Sequence, residues 1–181
     1  MYWYKPNTIL SGLSLLLISG LFSCKPDIQT GGSLYFDLKG YFAHDCSKLA
    51  RQNPTVTKTA GYNANSQTRK LKIKNWEKEL ELFSGSDINK PAWRQSYTTE
   101  ADSDQIIYKA TAPKVKTQLI LIKQKAGKVK YIYILNHEKN ILYENTEKLT
   151  YVPDSLYLID KVQKVKFLGT NHYLIKGLIN Q

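Results

Sequence analysis

Cysteine is nearly absent from this 181-residue chain: Cys24 and Cys46 are the only two, too few for a disulfide-stapled scaffold. Acidic residues are scarce beside basic ones, 15 against 26, for a formal net charge of +11. No apolar run reaches the ~20 residues that a helix needs to cross a hydrocarbon core. The longest, Ile9 to Leu21, carries no charge but is too short. There is no phosphate-cradling glycine loop, nucleophile elbow or dinucleotide fingerprint. The three histidines, His44, His137 and His172, have no zinc-type spacing. Asp154, Ser155 and His172 can be written as a triad, but any chain of this length offers such sets. The expectation is a noncatalytic protein with no cofactor and no metal.

What is present is a three-part N-terminus: Met1 to Thr8 with the lone charge Lys5, the apolar run, then a small residue before cysteine. This is the layout of a signal peptide. Leu21-Phe22-Ser23-Cys24 resembles the lipobox of bacterial lipoproteins, with Phe22 standing where a smaller residue is usual. That resemblance implies cleavage after residue 23 and acylation of Cys24, which then anchors the chain in a lipid bilayer. Each buried methylene contributes about 0.8 kcal/mol, and two or more acyl chains hold stably where one does not. Residues 24–33, opening Lys25-Pro26-Asp27, are rich in Gly, Pro and polar types and read as a flexible tether. They loosely resemble the surface-export signals of Bacteroidota lipoproteins. The expected location is therefore the envelope, most readily the outer membrane, with the periplasmic or surface face left open.

Residues 34–181 are expected to form one α+β domain. A helix over Ser33–Arg51 follows from the stripe Leu38, Phe42, Cys46 and Leu49, which makes Cys46 a core residue rather than a reactive thiol. Ser33 is its expected cap, and His44 and Asp45 fall on its solvated side. A hairpin follows, Thr55–Tyr62 and Gln67–Ile73, then a second amphipathic helix over Asn75–Phe83 that buries Trp76, Leu80 and Phe83. Trp93 reads as a lid over one edge of the core. From Tyr97 onward the chain reads as strands, with a period of two from Ile106 and turn residues between short runs. Short connections favour antiparallel pairing. The fold class expected is a curved, mostly antiparallel meander sheet of about eight strands, with the N-terminal helix and the second helix packed on it.

Lys128, Lys130, Lys164 and Lys166 recur at alternate strand positions, either as a solvated face or as a basic face for an anionic surface. Setting aside the first 23 residues leaves a charge of +10, which favours an anionic envelope component; a protein partner stays open, and export argues against nucleic acid. Tyr35 to Phe42, Asn53 to Thr59, Lys90 to Arg94 and Lys148 to Tyr151 resemble a family of uncharacterised Bacteroidota lipoproteins, which implies an envelope location and no activity. Two functions follow: a noncatalytic binding or structural module, or a carrier holding a lipid or other apolar ligand between the sheet and its helices. A filled layer between them argues for the module, and an apolar cleft of several hundred Å³ for the carrier.

Overall fold

The computed structural model describes residues 33–180; the expected signal segment, Cys24 and most of the expected tether lie outside them. Ser33–Gln181 forms its own compact unit around one continuous core, as a domain able to fold alone does.

The chain enters through helix α1, Leu38–Gln52. It starts with the first residue of the apolar stripe and later than the expected Ser33, because Asp37 and not Ser33 is the cap: the Asp37 carboxylate accepts from the Gly40 N–H at 2.8 Å. A Cβ on Gly40 would run into that carboxylate, so glycine at this position serves the cap. At the other end Asn53 adopts φ 46° and donates its N–H to the Leu49 carbonyl at 2.9 Å, and Pro54 ends the helix. The predicted stripe of Leu38, Phe42, Cys46 and Leu49 is buried throughout.

Strands β1 (Thr55–Tyr62) and β2 (Asn65–Lys72) form the first hairpin. The expected second helix is broken at Leu80 into two single turns, α2 (Trp76–Glu79) and α3 (Glu81–Ser84), and Pro91–Trp93 adds a 3-10 turn. Asn75 caps α2, and the break leaves the burial pattern intact, with Trp76, Leu80 and Phe83 all inside. Seven further strands follow: β3 (Tyr97–Ala101), β4 (Gln105–Ala110), β5 (Thr117–Lys125), β6 (Lys128–Lys139), β7 (Tyr143–Val152), β8 (Leu156–Val165) and β9 (Gly169–Asn180). The nine form one open antiparallel sheet in the order β2-β1-β9-β8-β7-β6-β5-β4-β3. The count exceeds the eight or so anticipated by one; β3, at the edge, is Thr-rich, and its residues after Tyr97 are exposed and show no apolar alternation.

This order explains the long connection between β2 and β3. β2 and β3 are consecutive in the chain yet sit at opposite edges, eight strand spacings or about 38 Å apart. The link between them must cross one whole face, and it does so as α2, α3 and the 3-10 turn, beside α1. That face is the core side. Directly opposed residues share a face, so the registers Ile122, Ile132, Tyr151, Tyr157, Gly177 and Ile120, Ile134, Leu149, Ile159, Ile175 trace two rows beneath the helices. Gly177 completes the first row because the Tyr157 ring lies over it; a Cβ there would overlap the ring.

Candidate functional site

The covered face carries three polar clusters. On α1, Asp45 is buried and not solvated as expected: it accepts from the Tyr151 hydroxyl and pairs with Lys48 at 2.8 Å, and Lys48 reaches on to Asp154 at 2.7 Å in the β7–β8 turn. Burial, reinforced by Asp45, drives the Tyr151 hydroxyl far above its ordinary value. Burial opposes the charge on Lys48, but its bonds to Asp154 and Asp45 outweigh that and raise its pKa. In the second cluster Glu79 of α2 accepts from the Tyr157 hydroxyl at 2.8 Å and pairs with Lys58 of β1 at 2.6 Å.

The third cluster lies under the chain that follows α3. Glu147 is buried on β7, accepting from the side-chain amides of Asn136 at 3.2 Å and Asn145 at 3.0 Å, with Lys161 at 3.4 Å and Lys116 at 3.6 Å. Asn136 also donates to Ser86 at 2.8 Å. Burial would raise the Glu147 carboxyl, but Lys116, the two amides and Lys161 together bring it below the ordinary carboxylate value. The side-chain oxygens of Asn136 and Asn145 are buried without a partner. Two ammonium groups already neutralise the carboxylate and would repel a metal cation, and no cluster of three or more ligating side chains occurs among the described residues. All three clusters pin a helix or connecting segment to the sheet.

Other candidate residues are dispersed. Asp154 sits in the β7–β8 turn, whereas His172 lies near the start of β9 and pairs with Asp160 at 2.7 Å, so no Asp154-Ser155-His172 triad is assembled. His44 is exposed, and His137 lies on β6 beside Thr146. Cys46 is buried, and burial first, then Asp45, pushes its thiol up to about 11, which suits a core cysteine. Trp93 is half-buried against the core, with the Lys90 ammonium 4.0 Å over its ring.

The four lysines do not converge. Lys128 and Lys130 stand at the β5–β6 hairpin, Lys128 opposite Lys125 and Lys130 unpaired at a register shift. Lys164 and Lys166 stand at the β8–β9 hairpin, at the other end of the sheet. β7 lies between β6 and β8, and its ten residues set the two pairs about 30 Å apart along the strands. Alternation in the sequence reports a face, not the end of a strand.

Two surfaces remain. The face away from the helices carries the half-buried Leu119, Leu121, Tyr131, Tyr133 and Leu135, with Lys123 beside them. At the edge of the covered face an open cleft of about 440 Å³ has Leu71, Ile73, Leu82 and Ile175 in its floor, and Lys72, Lys74 and Lys78 at its rim. No family model, no curated protein and no solved structure matches this chain.

Proposed function

We propose that this chain is an exported envelope lipoprotein, anchored in a bilayer through acylated Cys24, whose domain is a noncatalytic binding or structural module. The observation that carries the anchor is Leu21-Phe22-Ser23-Cys24 directly after an uncharged apolar run. The separation of Asp154 from His172, and the use of the buried carboxylates as pins, favour a module over a catalyst. No helix among the described residues is long and apolar enough to cross a membrane, so on this reading the bilayer contact comes from lipid. Cys24→Ala should release the protein from membranes and abolish palmitate labelling while leaving the domain folded. Equal membrane association of the unlabelled variant would sink the reading.

The second reading, a carrier of an anionic amphiphile, draws on the lysine-rimmed cleft. The layer between α1 and the sheet is filled by Phe42, Trp76, Leu80 and Phe83, so such a ligand would lie along the cleft instead of inside the fold. Native mass spectrometry of the protein purified from cells separates the two: a copurifying lipid lost on Leu82→Asp selects the carrier.

A further inference from the structure

We infer that two neighbouring hairpin tips, Asn140–Leu142 and Lys166–Leu168, form a surface that seats this domain in the interface of an anionic bilayer. The inference deepens the anchored-lipoprotein reading, which supplies the bilayer, but it rests on different residues.

The tips are side by side because β7 pairs with β8 to its first residue, Tyr143 opposite Val165. The Lys166 N–H donates to the Leu142 carbonyl at 2.9 Å and ties one tip to the other. Each is internally held: the Asn140 side chain accepts from the Leu142 and Tyr143 N–H groups at 2.8 Å, and the Leu168 N–H donates to the Val165 carbonyl at 3.1 Å. On these ordered turns stand four large apolar side chains in water, Phe167 at 94% exposure, Ile141 at 86%, Leu168 at 80% and Leu142 at 68%. Single exposed apolar residues are ordinary; four contiguous ones mark an interaction site.

Phe167 has φ 67°, in the left-handed region that glycine and asparagine fill at least cost. The other non-glycine residues at positive φ among the described residues are Asn53, Asn63, Ala126 and Asp154, small or amide and carboxylate types suited to such turns. Among the described residues only Phe167 holds a bulky ring on such a backbone, and it faces solvent. Strain of this kind, kept where no core gains from it, points to function.

The charges around the tips identify the occupant. Lys164 and Lys166 have no acidic partner within 4 Å among the described residues, and the Lys166 ammonium lies 5.4 Å over the Phe167 ring. Lys139 adds a third, shared with Glu144 at 3.4 Å. Apolar tips bordered by Lys139, Lys164 and Lys166, with Glu144 opposite Lys164, match an anionic bilayer, with acyl chains beneath and phosphates at the rim. The entry of the chain fits the same end. Tyr35 packs against Tyr97 and Tyr108, and the Tyr97 hydroxyl bonds to the Thr117 carbonyl, where β5 begins beside the end of β6. From β5 to β8 is about 14 Å across the sheet. The nine residues from Cys24 to Ser33 can span at most about 30 Å, so a lipid on Cys24 keeps this end of the domain close to the membrane.

The test uses the nonlipidated Ser33–Gln181 domain with vesicles of phosphatidylcholine alone or mixed with phosphatidylglycerol. The domain should sediment with the mixed vesicles at low salt, and a Phe167→Trp reporter should shift its emission to the blue. Replacing Ile141, Leu142, Phe167 and Leu168 by Ser should weaken partition at least tenfold with an unchanged thermal midpoint. Lys164→Glu with Lys166→Glu should also weaken it, whereas Lys128→Glu with Lys130→Glu should not. No partition at low salt, an unaffected four-Ser variant, or equal effects of the two lysine pairs would overturn the inference. So would concentration-dependent dimerisation that the four-Ser variant loses in the absence of vesicle uptake, which would assign the tips to a second copy. Palmitate labelling of the full chain reports the anchor separately, so either reading can fail alone.

Discussion

Along β7, Asn145, Glu147, Leu149 and Tyr151 look toward the helices, while Glu144, Thr146, Lys148 and Thr150 look away. Both sets contain a glutamate and neutral hydrogen-bonding residues, and the inward set adds Leu149 and Tyr151. What divides the polar members is the answer each polar atom receives. Under the helices Glu147 is met by two amides and two ammonium groups, and Tyr151 by Asp45. On the other face Glu144 pairs with Lys139 at 3.4 Å in contact with water, and Lys148 is exposed. A buried polar atom left unpaired costs about 1–3 kcal/mol, whereas an exposed ion pair contributes about 0–1 kcal/mol. The covered face therefore holds the fold, and the open face is free to vary or to bind.

The sharpest break in that contrast is Trp76→Ala. Trp76 is the first residue of α2, buried edge-on to Tyr157 at 6.2 Å between ring centroids, and its loss should cost about 3–5 kcal/mol. Urea unfolding followed by circular dichroism should show a cooperative transition at a much lower midpoint. The indole N–H is buried without a partner, so Trp76→Phe should keep most of the stability that Trp76→Ala loses. An unchanged midpoint in Trp76→Ala would mean that α2 is not part of the core.

A smaller effect is expected at Glu147. Glu147→Gln keeps the shape but leaves Lys116 and Lys161 without their carboxylate, at a cost of about 1–3 kcal/mol at neutral pH. The folded carboxyl titrates below its ordinary 4.5, so the folded state binds that proton less readily than the unfolded one. The stability that Glu147 contributes is thus complete above its unfolded value and is lost as pH falls below 4.5 and through its lower folded value. Thermal midpoints of the parent and of Glu147→Gln should converge as pH descends through that range. A gap that stays constant would assign the role of Glu147 to packing.

The stripe of α1, the alternation of the strands and their turns were legible because apolar periodicity is local. Cys46 and Trp76 could be placed from spacing to Leu49 and Leu80 alone. Asp45 could not, since its partner Tyr151 lies 106 residues away. One signal was nevertheless available: Asn145 and Glu147 fall in phase with Leu149 and Tyr151, as Asn136 does with Ile132 and Ile134. Polar residues in phase with a buried row announce a buried network. The separation of the two lysine pairs follows from strand order, which no window of sequence contains. The exposed tip residues Ile141, Leu142, Phe167 and Leu168 read simply as ends of strands until the fold left them uncovered.

The smallest effect, and the one that sharpens the contrast most, is expected on the open face. Leu121 and Tyr133 oppose each other directly and border a shallow depression with Lys123 and Tyr131. Neither is met by a helix, so what they contribute is a cross-strand contact of about 0.2–1 kcal/mol. Threonine keeps the strand preference of both positions while removing the apolar surface. The double variant Leu121→Thr with Tyr133→Thr should therefore cost no more than about 1 kcal/mol beyond that contact, shifting the thermal midpoint by only a few degrees, roughly 2–4 °C per kcal/mol for a domain of this size. Calorimetry beside Trp76→Ala gives the comparison directly. If the double variant falls as far as Trp76→Ala, the two faces are equally load-sharing, and Leu121 and Tyr133 belong to a second packed layer that another copy of the chain must cover in solution; a protein-concentration dependence of the parent midpoint, lost in the variant, would then be observed.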